Sequence, residues 1–176
     1  MTAPEFSRIV RIDTLGPAPR PLHVEAEEAE RAALARRFGL VAVERLTAEL
    51  SLSRAGVEVV VEGNMSAAVV QACVASGAPL SAAVEAPFTL MFRPQPEAAL
   101  ADEEIELGET DMDVVFYDSA SIDVGEAVAE TLLLNLDPYP RAPEADAALK
   151  AAGVKSEEEA GPFAALAALK DKLKPS

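Results

Sequence analysis

The stretch "RLTAELSLSRAGVEVVVE", residues 45–62, decides how the chain folds. In its first half Leu46, Ala48, Leu50 and Leu52 alternate with Arg45, Thr47, Glu49 and Ser51. In its second half Val57, Val59 and Val61 alternate with Glu58 and Glu62. A period of two places one set on one face of a strand, and "RAG" between the halves predicts a tight turn. The pattern continues outward. "GN" (63–64) predicts a second turn, "SAAVVQACV" (66–74) a third strand and "ASGAP" (75–79) a further turn. Leu80, Ala82 and Val84, then Phe88, Leu90 and Phe92, alternate again. Strands joined by short glycine-containing turns form an antiparallel meander, and a long meander must curl or close to hide its edges. The predicted fold is therefore α+β: a curled antiparallel meander sheet or partial β-barrel, with flanking helices and a helical C-terminal tail. Residues 1–140 are expected to form one domain, and 141–176 a tail with one or two short helices.

The flanks add three segments. "RIVRID" (8–13) reads as a short strand, which "TLGPAPRP" breaks with one glycine and three prolines. Residues 25–38 read as a helix: Glu clusters at its start, Arg36 and Arg37 lie in its last turn, and Gly39 follows, as the macrodipole and a glycine cap require. Glu27 and Arg31 are an i,i+4 pair within it. After a long polar connection (93–113), "VVFYD" (114–118) predicts one more strand.

A second helix is predicted from Asp123 to Asp137. Asp123 is the expected N-cap, with Glu126 three residues on completing a capping box. Glu126 and Glu130 fall on one face, and Val124, Ala127, Val128, Thr131 and Leu132 on the other. Leu132–Leu136 is apolar almost all round, so this end is expected to be buried on several sides or docked on another molecule. Pro138 disfavours helix at Asp137, and "PYPRAP" leaves as an extended strip. "EADAALKAAG" (144–153) predicts a short helix ending at Gly153. A last one begins at Pro162, with Phe163, Leu166, Leu169 and Leu173 as its apolar stripe. It is too short to stand alone and is expected to dock.

Charge and composition narrow the function. The net charge is −15; between Arg93 and Arg141 there are thirteen Asp or Glu and no Lys or Arg. Such a surface repels phosphate; the run is either a solvated loop and helix face or a contact for a basic partner. No apolar run of membrane-spanning length occurs, the N-terminus lacks the pattern of a signal peptide, and one cysteine makes no internal disulfide, so the cytoplasm is the expected location. Phosphate-cradling loops, nucleophile elbows and Cys-x-x-Cys or His-x-x-x-His pairs are absent. Cys73 with His23 could form a thiol–imidazole pair, but Cys73 reads as a buried strand thiol and His23 as a surface residue. Asp118, Asp123, Glu126 and Glu130 could gather round a metal ion; the plainer alternative is that Asp123 and Glu126 cap while Glu130 faces water. Tyr139 is either a recognition residue or packed back on its helix.

"ACVASGAPL" (72–80), "APFTLMF" (86–92), "IDVGEAVAETLLLNLDPYPRAP" (122–143) and "GPFAALAALK" (161–170) resemble, in order and spacing, the YceD family of large ribosomal RNA subunit accumulation proteins. "EAERAALARRFGL" (28–40) ahead of the strands is similar to the alphaproteobacterial branch. The likeness runs over about residues 20–172, and its pattern falls on Cys73, Leu80, Asp123, Glu126, Glu130, Leu132, Leu134, Pro138, Pro140 and Phe163. Many members carry Cys-x-Arg-Cys where this chain reads Cys73-Val74-Ala75-Ser76, so a metal, redox or phosphate role is not expected there. The resemblance implies a cytoplasmic, non-enzymatic factor, without cofactor, needed for accumulation of 23S (large-subunit) ribosomal RNA.

The leading expectation is action through protein contacts or a local RNA contact. The partner would be a ribosomal protein, an assembly factor or a nuclease, basic in character, with large-subunit RNA as a further contact. The expected contact residues are Asp123, Glu126, Glu130, Leu133, Leu136, Pro138, Tyr139, Pro140, Phe163 and Leu166. Two alternatives stay open: direct RNA binding by the small barrel, and a metal-dependent enzyme built on the carboxylates around Asp123.

Overall fold

Alternation at residues 45–92 produces three long strands in the computed structural model, which describes residues 4–95 and 113–154. They are β3 (Ala42–Ala55), β4 (Glu58–Ala72) and β5 (Pro79–Pro94). Ahead of them come β1 (Ile9–Arg11), β2 (Arg20–Glu25) and α1 (Glu28–Phe38); after them come β6 (Asp113–Tyr117), β7 (Ser121–Asp123), α2 (Val124–Leu134) and α3 (Ala145–Ala151). A five-stranded sheet runs in the order β2-β3-β4-β5-β6, and β1 pairs with β7 in a separate two-stranded sheet. The fold is α+β with a curled meander, and the sheet is open rather than closed into a barrel.

The meander holds with one correction. "GN" at 63–64 is not a turn: β4 passes straight through it, with Gly63 opposite Leu50 and Asn64 opposite Glu49. A Cβ at Gly63 would lie 2.7 Å from Leu50 Cδ2 and 2.8 Å from the Phe88 ring. The glycine is there to let those two side chains meet over the strand, which is the other meaning of glycine in a strand interior. The turn expected at "RAG" joins β3 to β4 as read, at Gly56, whose φ of 64° is the left-handed value that glycine adopts freely.

Two boundaries and one strand direction also differ from the sequence reading. The segment Arg20–Glu25 is strand β2, paired antiparallel with β3 from Arg20↔Leu52 to Glu25↔Thr47. Pro21 is tolerated because β2 lies at the sheet's edge. Consequently α1 starts at Glu28 rather than Glu25; Glu27 is its N-cap, and the Glu30 carboxylate accepts the Glu27 N–H at 2.7 Å. Gly39 ends it at φ 66°, as expected. Arg31 donates to the Ala26 carbonyl at 2.6 Å instead of forming the ion pair expected with Glu27. Finally, β6 pairs parallel to β5 (Leu90↔Asp113 to Pro94↔Tyr117), so the last strand departs from the antiparallel pattern.

The core collects one side of every long strand: Leu46, Ala48, Leu50 and Leu52, then Val59, Val61, Met65, Ala67 and Val69, then Ala86, Leu90 and Phe92. The buried faces of α1 (Leu34, Ala35) and α2 (Val124, Ala127, Val128, Leu132) close over it with Phe6. Burying each Val or Leu side chain contributes about 1.5–3 kcal/mol. The chain forms two compact units. Of the described residues, one comprises 4–71 with 81–95 and 113–137; the other comprises 72–80 with 138–154. In the second, a turn closes with Cys73 N–H to Ala78 O (2.8 Å) and Gly77 N–H to Cys73 O (2.8 Å), and Val74 N–H donates to Pro140 O at 2.9 Å. The short helix expected near 144–153 is α3, with Gly153 left-handed after it. The expected helix at 162–174, with Phe163 and Leu166, lies outside the described residues, as does most of the 93–113 connection. No described helix is long and apolar enough to cross a membrane.

Candidate functional site

Helix α2 begins at Asp123, and this carboxylate explains why it begins there. Its Oδ1 accepts the N–H groups of Gly125 (3.0 Å) and Glu126 (3.2 Å), the N-cap predicted from sequence. It also accepts the Arg8 N–H at 2.7 Å, while Oδ2 accepts the Ser7 hydroxyl at 2.6 Å. The cap therefore ties the helix to the N-terminal segment. Gly125 makes the approach feasible, since a Cβ there would meet Phe6 O at 2.7 Å and Arg8 N at 2.8 Å.

Glu126 does not complete a capping box. Its two oxygens take a bidentate pair of bonds from Arg37 of α1, at 2.6 and 2.9 Å, and the same guanidinium reaches Glu5 at 3.0 Å. Hydrogen bonding to Glu126 raises the Arg37 pKa further above its ordinary value. Arg8 mirrors this arrangement, donating 2.6 and 2.8 Å bonds to Glu30 and resting 4.5 Å from the Phe6 ring. That hydrogen bond holds the Glu30 carboxyl below its usual range. A competing partner across the fold, geometrically better than the local backbone, redirected Glu126; spacing within one helix carries no signal of it.

The predicted division of faces holds. Val124, Ala127, Val128, Ala129, Thr131 and Leu132 are buried, and the Thr131 hydroxyl is satisfied by Ala127 O at 2.8 Å. Glu130 is exposed. Helix α2 stops at Leu134, three residues before Asp137, because Asn135 caps it with an Nδ2 bond to Thr131 O (2.9 Å). Leu136 packs against the core, and the buried Gln71 amide donates to Asp137 O at 2.8 Å. The leucine end is apolar on all sides but not buried on all sides: Leu133 is 46% exposed and Leu134 79%. In the second unit Pro138 is exposed, Pro140 is half-buried and Tyr139 is 74% exposed.

A cleft of about 240 Å³ lies between β6 and the first turns of α2. Its lining includes Asp118, Asp123, Glu126 and Glu130 together with Phe92, Phe116 and Tyr117. The four carboxylates considered together in the sequence thus share one cleft, but Asp123 is committed to capping and Glu126 to Arg37. Among the described residues no three His, Cys, Asp or Glu side chains converge as metal ligands. Sequence reasoning did not single out Phe116, although its outward place in "VVFYD" follows from the period of two; it is 53% exposed.

The remaining candidates, His23 and Cys73, belong to different units. His23 bonds Glu49 at 2.6 Å on β2's exposed face, whereas Cys73 bonds Ala142 N–H at 3.3 Å in the second unit. Cys73 stands just past β4 rather than within a strand. Its thiol pKa is lowered to about 7, first by the Ala142 N–H and then by Ser76, against the opposing effect of burial. Most of the strand side chains that a nucleic-acid-binding sheet would use have partners within the fold, and Phe88 packs partly buried against the core. Phe92 is buried, Arg93 pairs with Glu58 at 2.9 Å, Arg54 bonds Gly56 O and Ile12 O, and Arg45 bonds Ser66.

Comparison with known proteins gives one match. The family model described as "Large ribosomal RNA subunit accumulation protein YceD" matches residues 61–170, more than half of the chain, from within β4 through α2 and beyond α3. No curated protein and no solved structure gives a match. The chain belongs to the YceD family.

Proposed function

We propose that this chain supports the accumulation of large-subunit ribosomal RNA as a cytoplasmic, non-catalytic factor that works by binding a basic protein. The observation that carries the proposal is the family match over residues 61–170, whose described portion includes β6, α2 and the carboxylate-lined cleft between them. The disposition of charge supports a protein partner. An acidic surface gains nothing from counterion release on RNA, but it attracts basic ribosomal proteins, assembly factors or nucleases. The exposed Leu133 and Leu134 beside Glu130 offer apolar area next to that charge. Capping by Asp123 and pairing by Glu126 account for two of the carboxylates without any reaction chemistry.

Deleting the gene and measuring ribosomal RNA tests the proposal, together with sucrose-gradient fractionation of native cells. Large-subunit RNA is expected to fall relative to small-subunit RNA, and the protein to travel with large-subunit precursors. Normal RNA levels with no protein in those fractions refute the function.

A further inference from the structure

The sheet's last strand offers a docking edge, and the charge around it specifies what docks. Strand β6 pairs with β5 along one side only; among the described residues no strand lies along its other side. An unpaired edge presents backbone N–H and C=O groups to any extended segment of matching shape. Native edges are commonly blunted by lysine, proline or a bulge, and "DVVFY" has none of the first two. Val115 and Tyr117 face the core, while Val114 and Phe116 are exposed at 38% and 53%. Asp118, Glu130 and Phe116 are among the residues lining the cleft between β6 and α2.

We infer that β6 binds an extended, arginine- or lysine-bearing segment of a protein partner, which adds to the sheet edge and places a cationic side chain in the β6–α2 cleft. A lining that includes carboxylates and an aromatic side chain suits a guanidinium or ammonium group. Alternate side chains of the added strand then lie over Val114 and Phe116. Nucleic acid is the wrong sign for the cleft, whose lining has Asp118, Asp123, Glu126 and Glu130 and no Lys or Arg. A second copy carries the same net charge of −15 and is repelled. This inference rests on the protein-binding function proposed above and names the surface that would perform it.

The test titrates the full chain with a peptide of alternating arginine and valine, and with an arginine–proline peptide of equal charge that cannot pair with a strand. Backbone amide exchange over β6 is followed by NMR. The arginine–valine peptide is expected to bind with protection of β6 amides, at least about tenfold tighter than the proline peptide, since proline lacks the N–H that an added strand donates. Phe116→Ser and Asp118→Lys, both at exposed positions, are each expected to weaken it several-fold while thermal melting stays unchanged. Equal affinity for the two peptides, no response to either substitution, or β6 amides already protected in the chain alone would each overturn the inference. The last result would mean that the edge is covered by residues 96–112 or by a second copy. If Phe116→Ser and Asp118→Lys chains still travel with large-subunit precursors, this surface is wrong but the proposed function stands; if the unaltered chain does not travel with them, the function itself fails.

Discussion

Gly125→Ala should destabilise the protein, against the helix-forming preference of alanine. The new methyl carbon would stand 2.7 Å from Phe6 O, 2.8 Å from Arg8 N and 3.0 Å from the Ser7 carbonyl carbon. All three are backbone atoms, so no rotamer change relieves the clash. The segment is also held on both sides, by Val124 N–H to Arg8 O at 3.1 Å and by Arg8 N–H to Asp123 at 2.7 Å. Overpacking costs about 1–3 kcal/mol. Stretching a hydrogen bond to a charged carboxylate forfeits part of its ~1.5–3 kcal/mol. Exchanging glycine for alanine in a helix returns up to about 1 kcal/mol. The net loss is therefore about 2–3 kcal/mol, a fall in Tm of roughly 4–12 °C for a chain of this size. Thermal and urea unfolding by circular dichroism measure it, with Gly16→Ala as the comparison because a Cβ at Gly16 meets nothing within 4 Å. A Gly125→Ala chain as stable as the parent would refute the close approach of the N-terminal segment to α2.

Other outcomes follow from the same geometry. Leu132→Ala, at a fully buried position, should cost about 2–5 kcal/mol, whereas Leu133→Ala should stay within about 0.5 kcal/mol; equal losses in urea unfolding would contradict the exposed leucine end. Glu130→Gln should leave the unfolding midpoint unchanged, because the side chain faces solvent. Glu30 has its carboxyl pKa depressed by Arg8, so its contribution is complete above the unfolded value near 4.5 and is lost as pH falls below it. Glu30→Gln should therefore remove part of the acid-side slope of Tm against pH, and an unaltered slope would deny the pair its role. Cys73 should titrate at about 7 rather than 9, followed by thiolate ultraviolet absorbance. Its depressed pKa stabilises the folded state fully above pH 9 and loses that contribution as pH falls through 7. A midpoint near 9 would mean that the Ala142 N–H does not hold the sulfur.

Local pattern made most of the sheet legible. Alternation at Leu46–Leu52 and Val57–Val61 is imposed by burial of one face, and burial leaves its mark residue by residue. The helix cap at Asp123 was equally visible, because a cap is satisfied by its own next few residues. What stayed hidden depends on partners distant in sequence. Gly63 looks like a turn glycine until Leu50 and Phe88 are seen crossing above it. Glu126 looks like a capping-box residue until Arg37 arrives from α1. Strand β2 was masked by the prolines around it, which an edge tolerates, and the parallel sense of β6 is set by a connection whose length carries no directional signal. The candidate cleft was half legible: its carboxylates were grouped from spacing, but Phe116 acquired meaning only once β6 proved to be an edge.

The bond from Ser7 to Asp123 joins positions 116 apart in the chain. At the ~5–20 residues per second of protein synthesis, Ser7 waits about 6–23 seconds for its acceptor to be made. Throughout that interval β1 has no strand to pair with, although β2, β3 and β4 can already assemble. Residues made before the meander are thus among the last to be secured, so a change at Phe6–Arg8 would act on the closing step of folding and leave the meander's formation untouched.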